Sequence, residues 1–222
     1  MKKMKQICAT FCDDNSQAVN VTIKENGSSR RIRISMESFV ESILESAKAE
    51  ENFQCLGAMP PGYVTGSISP SCLQKKKVVL QLPAEIRPIL YYGKLYNIPF
   101  PSIVFLFETG KNRNVVNSYC FAADTDPLTQ ESTLYEYPFG NVYSNASICW
   151  GNISLPEIDS FSEFKKLIPL FFGAETNDDL WLSDITKSGA KTQRELIEML
   201  SEKKVFPKEW LVLKHPAAEI LF

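Results

Sequence analysis

The sequence predicts an α+β fold: an antiparallel sheet with helices packed on it and an added β element at the N-terminus. Three observations predict it. AVNVTI and RRIRIS are β-prone pieces separated by a turn around Gly27. IVFLF (103–107) and VVNSYCFAA (115–123) flank the turn Gly110-Lys111-Asn112, which suits antiparallel neighbours. Two other stretches, 36–47 and 161–171, repeat apolar residues at spacings of three and four, the mark of one helix face.

Composition sets the bounds. With 222 residues, 44% hydrophobic and 23% charged, the chain has the make-up of a soluble globular protein, long enough for one sizeable domain or one domain plus a smaller appendage. A formal net charge of -2 gives no electrostatic reason to expect nucleic acid or an anionic membrane as partner. The opening MKKMKQICATFCDD has lysines but no apolar core behind them, so no secretion is expected. Six cysteines, of which Cys8 and Cys12 are close and Cys55, Cys72, Cys120 and Cys149 scattered, form no paired ligand spacing, and His215 is the single histidine. Reduced thiols in a cytoplasmic protein without metal or cofactor are the expectation.

Taken in order, residues 1–35 form the predicted β extension: CATFC, then AVNVTI, then RRIRIS, with Asn26-Gly27 as the hairpin signal. The main domain is placed at 36–222. Ser35 caps a helix with Met36, Phe39, Val40, Ile43, Leu44 and Ala47 on one face. Residues 51–75 are turn-rich around Met59-Pro60-Pro61-Gly62 and Ser69-Pro70, with a strand near Tyr63 to Ser67. Lys75-Lys76-Lys77 reads as a solvated turn before the strand VVLQL (78–82), and Ile89 to Tyr92 as a short extended piece. Pro99 and Pro101 cannot donate to a sheet, so Ile98 to Glu108 is a proline-stiffened turn feeding a buried strand. Residues 124–138 form a loop. Ser160-Phe161-Ser162-Glu163 and Thr192-Gln193-Arg194-Glu195 are capping boxes, the first opening a helix that Pro169 kinks or shortens. The tail FPKEWLVLKHPAAEILF is apolar enough to dock on the body or on a partner, with Lys214-His215-Pro216 as an exposed turn.

FGNVYSNASICWGN, residues 139–152, carries the chemistry. It is polar and irregular, and Ser144-Asn145-Ala146 can turn the backbone so that Asn141 approaches Cys149. A thiol that passes on acyl groups needs such a neighbour: a fixed N–H donor aimed at a developing oxyanion contributes about 3–4 kcal/mol. The competing reading makes Ile148-Cys149-Trp150 the start of a core segment, since cysteine is among the most often buried residues. Trp150 is expected to pack under the loop; Tyr143 fits either a groove wall or packing.

The segment resembles the active-site run of ubiquitin-conjugating enzymes, in which His-Pro-Asn precedes a stretch ending Ser-Ile-Cys, the Asn eight residues before the Cys. Asn141 and Cys149 stand at that spacing and SNASIC matches the end of the run; Phe139 and Gly140 replace the His and Pro. Pro99, Phe100, Pro101, Val104 and Phe105 resemble the proline-rich passage before the central strand of that family, and Asn177, Asp178 and Asp179 its acidic segment after the following helix. The likeness runs over about residues 36–181 and is nearest to the prokaryotic family D typified by protein B of PRTRC plasmid systems. It implies a sheet of about four strands flanked by helices. It also implies Cys149 as carrier of a ubiquitin-like protein in thioester linkage, Asn141 as oxyanion donor or loop organiser, and Asp178 or Asp179 as the group that orients an incoming lysine. The partners implied are a ubiquitin-like protein, an adenylating activating enzyme and a substrate protein. Two other readings stand beside it: a non-catalytic adaptor of the same fold, and a cysteine hydrolase using Cys149 with His215.

Overall fold

The computed structural model describes residues 5–11, 18–25, 27–48 and 56–221, which fall into two compact units, one within Met1–Cys55 and the other Leu56–Phe222. The helix that follows Ser35 falls in the first unit, with the N-terminal strands.

In the first unit β1 (Lys5–Phe11), β2 (Ala18–Glu25) and β3 (Ser28–Ser35) form an antiparallel sheet in that order. Gly27 takes φ 79° in the β2–β3 connection, where an L side chain would be strained; Asn26, Cys12 and Cys55 lie outside the described residues. Alternation directs Val19 and Val21 inward, level with Ile34 and Ile32 across the β2–β3 ladder. Helix α1 (Met36–Lys48) starts as predicted: the Ser38 N–H donates to Ser35 Oγ at 3.0 Å. Its predicted apolar face is buried only in part. Phe39 meets Phe11 edge to face, centroids 5.7 Å apart, while Met36, Val40 and Ile43 stay exposed; the side chains of Leu44 and Ala47 lie outside the described set. Three short strands offer too little area to cover a helix face of this length.

The second unit is built on a six-stranded sheet in the order β11-β10-β9-β8-β5-β4, with β4 at Tyr63–Ser69, β5 at Cys72–Leu82, β8 at Ser102–Thr109, β9 at Val115–Ala123, β10 at Thr133–Tyr135 and β11 at Leu213–Pro216. Between β5 and β8 lies a separate hairpin of β6 (Ile86–Tyr91) and β7 (Lys94–Pro99). The sheet is antiparallel and has six strands where about four were expected. The two extra ones come from the 124–138 stretch and from the tail, which are too short and too mixed to show a period of two. Lys75, Lys76 and Lys77 lie inside β5 rather than in a turn; Lys76 is buried, and its N–H donates to Thr109 Oγ1 at 2.9 Å. Likewise Lys214-His215-Pro216 is strand, with His215 opposite Leu134, and Lys214 is ion-paired to Glu136 at 2.6 Å.

Both faces of the sheet are covered. One carries Val78, Leu80, Phe105, Phe107, Cys120 and Ala122. Packed against these are Phe161 and Phe164 of a 3₁₀ turn (161–166), Leu167 and Phe171 of α2 (Leu167–Gly173), and Leu196, Ile197 and Leu200 of α3 (Gln193–Ser201). Pro169 falls in the first turn of α2, where its missing N–H has no intrahelical partner to lose. The other face, Val79, Val104, Leu106 and Phe121, is closed by Ala217 and Leu221 around α4 (Ala217–Ile220), so the tail docks on the body. Each large side chain fully buried this way contributes about 1.5–3 kcal/mol.

Candidate active site

Residues 139–152 do what the turn chemistry predicts. Val142 and Ile148 face each other in an antiparallel bridge, the Tyr143 N–H donates to Ser147 O at 2.9 Å, and the Ala146 N–H donates to Tyr143 O at 2.8 Å. Asn145 stiffens the bend by accepting from the Ser147 N–H (3.0 Å) and hydroxyl (2.7 Å) on its Oδ1. The small hairpin then docks on β9: the Ile148 N–H donates to Ser118 O, and the Cys120 N–H donates to Ala146 O. Asn141 and Ala146 both adopt left-handed backbone, φ 64° and 68°, which asparagine tolerates and alanine does so at a cost of about 1 kcal/mol.

The hairpin closes with the Cys149 N–H donating to Asn141 O at 2.8 Å, so the two residues eight apart in sequence are adjacent in space. Cys149 is half-buried with a free thiol, and the exposed Tyr143 donates its hydroxyl to Sγ at 3.4 Å. That bond holds the Tyr143 phenol above its usual range. Trp150 turns inward, donating from Nε1 to Ser118 Oγ at 2.8 Å and packing edge to face on Phe171.

The Asn141 amide donates from Nδ2 to Glu175 O at 3.0 Å, tying the cysteine loop to the 174–181 segment. Asp178 spends both oxygens inside the fold: Oδ2 accepts from Tyr91 OH at 2.9 Å, and Oδ1 accepts from the Gln193 N–H at 3.1 Å. Burial first, then that bond, pushes the Tyr91 phenol up to about 12. Asp179 is exposed and accepts from Asn177 Nδ2 at 2.8 Å. Phe139, in the place of the resembled histidine, is fully buried, its ring 4.5 Å from Phe100, 5.6 Å from Tyr137 and 6.4 Å from Phe206. His215 is exposed on β11, and among the described residues no cluster of three or more His, Cys, Asp or Glu side chains is placed to hold a metal.

Gln193 is the residue that sequence reasoning missed. It is fully buried, accepts the Gly140 N–H on Oε1 at 2.6 Å and donates from Nε2 to Thr176 Oγ1 at 2.8 Å. A signal was present: with Leu196, Ile197 and Leu200, position 193 completes an i, i+3, i+4, i+7 stripe, and a polar residue on an apolar stripe is one that must be hydrogen-bonded inside.

An antiparallel sheet with a partly exposed thiol on a side hairpin, eight residues after a left-handed asparagine, is the arrangement of a conjugating-enzyme-like protein. The chain belongs to prokaryotic E2 family D, whose family model matches residues 42–213. No curated protein and no solved structure matches it significantly. No helix among the described residues is long and apolar enough to cross a membrane.

Proposed function

We propose that this protein accepts the C-terminus of a ubiquitin-like protein as a thioester on Cys149 from an adenylating activating enzyme and passes it to an amine. The observation that carries the reading is the Cys149 N–H bond to Asn141 O, which seats the thiol beside the asparagine in the segment that defines the family likeness. Tyr143 OH on Sγ supports it, because a donor at the sulfur stabilises thiolate both as nucleophile and as leaving group. Charging would proceed by attack of the Cys149 thiolate on the activating enzyme's thioester carbonyl, with the activating enzyme's cysteine leaving as thiolate. Discharge would follow when an amine attacks the new thioester, the C–N bond forming as the C–S bond of Cys149 breaks and the amine's proton passes to solvent. A lysine amine is mostly protonated at neutral pH, so a carboxylate that orients it helps. With both oxygens of Asp178 engaged, Asp179 is our choice for that role.

The test is intact mass after incubation with a cognate activating enzyme, its ubiquitin-like protein and ATP. A thiol-labile adduct on the wild type that is absent from Cys149→Ala is the expected result. An activating enzyme that charges itself but never this protein would favour the adaptor. Retention of full activity by Cys149→Ala would overturn the assignment of the thiol.

A further inference from the structure

Gly140 and Gln193 fit closely against each other. A Cβ at position 140 would stand 2.7 Å from Gln193 Oε1 and 2.9 Å from Asn177 O, so a side chain there displaces the amide or the backbone opposite. A proline would in addition lack the N–H that Gln193 accepts. Gln193 in turn is held at three points: Oε1 by Gly140, Nε2 by Thr176, and its own N–H by Asp178. Thr176 is anchored further, its hydroxyl donating to Leu90 O at 3.1 Å and its N–H to the same carbonyl at 2.7 Å. Three separate pieces of chain, the cysteine loop, the 176–178 segment and the start of α3, meet on one buried amide. The void left beside Gly140, Asn141 and Thr176 is only about 10 Å³.

We propose that Gln193 is a positioning residue for the reaction at Cys149, fixing the Phe139-Gly140 peptide where the resembled motif relies on the ring of a proline. The inference rests on the thioester reading above. Asn141 holds a left-handed backbone with its carbonyl on the Cys149 N–H and its amide on Glu175 O. The Phe139-Gly140 peptide that leads into it is held by the Gln193 side chain, whose Oε1 accepts the Gly140 N–H. Without that bond, the Gly140 N–H is buried and unpaired, the loop shifts to reach another partner, and the Asn141 amide, which the resemblance assigns to the oxyanion, loses its aim. Such donors act over a fraction of an ångström, so a small displacement is costly to carbonyl chemistry. It matters little to simple access of the thiol.

The experiment compares the wild type with Gln193→Ala and Gln193→Glu. The probe is the 2-mercaptoethanesulfonate thioester of diglycine, followed by free lysine, with iodoacetamide alkylation of Cys149 run in parallel. In the first step the Cys149 thiolate attacks the thioester carbonyl and mercaptoethanesulfonate leaves as thiolate. In the second the lysine amine displaces Cys149 and an amide forms. Gln193→Ala is expected to slow both acyl transfers by about tenfold or more, while alkylation, which develops no oxyanion, changes less than about threefold. Gln193→Glu keeps the acceptor for Gly140 and recovers the donor to Thr176 only when protonated. Its acyl-transfer rate, as a ratio to the wild type, is therefore expected to rise toward one as pH falls. Equal acyl transfer in Gln193→Ala and wild type would overturn the proposal. So would alkylation slowed as much as acyl transfer, which would mean that the thiol had merely become covered. A wild type that takes no acyl group from the probe would overturn the thioester reading instead. The anchor itself is then judged by amide exchange at Gly140: at least about tenfold faster exchange in Gln193→Ala sustains it, and unchanged exchange sinks it.

Discussion

Cys120 and Cys149 sit on neighbouring pieces of backbone, joined through the Cys120 N–H to Ala146 O bond only three residues before Cys149, yet their surroundings are opposite. Cys120 is fully buried on β9 opposite Phe105, and burial pushes its thiol well above the usual range. Cys149 lies just past the hairpin, where no strand continues the pairing, half-buried and with a phenol hydroxyl on its sulfur. The pleat turns one cysteine into the core, and the end of the pairing leaves the other within reach. Reactivity in a thiol is set by this difference in access and in partners, not by residue type.

The largest expected effect follows directly. In the native protein a bulky maleimide should modify Cys149 at least about a hundredfold faster than Cys120, which reacts only through openings of the core. Peptide mass mapping over time checks this, and comparable labelling of the two would break the comparison. Stability should split the pair in the opposite sense. Cys120→Ser places a hydroxyl among Phe105, Ala122 and Tyr137 and should cost about 1–3 kcal/mol in urea unfolding, whereas Cys149→Ser should stay within about 0.5 kcal/mol. The smallest effect sharpens the chemistry of the exposed partner. Tyr143→Phe removes the donor at sulfur and should slow alkylation of Cys149 near neutral pH by about two- to fivefold. Because the bond to Cys149 raises the Tyr143 phenol above its ordinary value, the donor is present below pH 10 and is lost only as pH climbs through the raised value. The rate difference between wild type and variant should therefore be largest near neutral pH and shrink as alkaline pH ionises thiols, before the phenol loses its proton.

Much of the fold was legible because its signals are local. The runs IVFLF and VVNSYCFAA on either side of the turn at Gly110 gave β8 and β9 and their antiparallel pairing, and Ser35 gave the start of α1. The turn Ser144-Asn145-Ala146 was legible for the same reason, since asparagine and serine bend their own backbone. What stayed hidden were the pieces whose structure is imposed from outside. β10 and β11 are three and four residues long and exist because each completes the other's ladder beside β9. Lys76 and Lys77 of β5 are strand because β4 pairs with both and β8 pairs with Lys77, whatever their charge suggests. At the site, the spacing of Asn141 and Cys149 could be read directly. The engagement of Asp178 by Tyr91 and by α3 could not, because those partners are 87 and 15 residues away.

By itself, then, the sequence determined the class of fold, the hairpin that presents Cys149 and the family to which the chain belongs. Propensity, periodicity and turn chemistry act between residues only a few positions apart. Only the tertiary structure decided which cysteine is enclosed, that Phe139 is a core ring among Phe100, Tyr137 and Phe206, and that Gln193 holds Gly140 from 53 residues away. A buried amide finds its partners through the packing of whole elements, and no local pattern records where that packing will bring them.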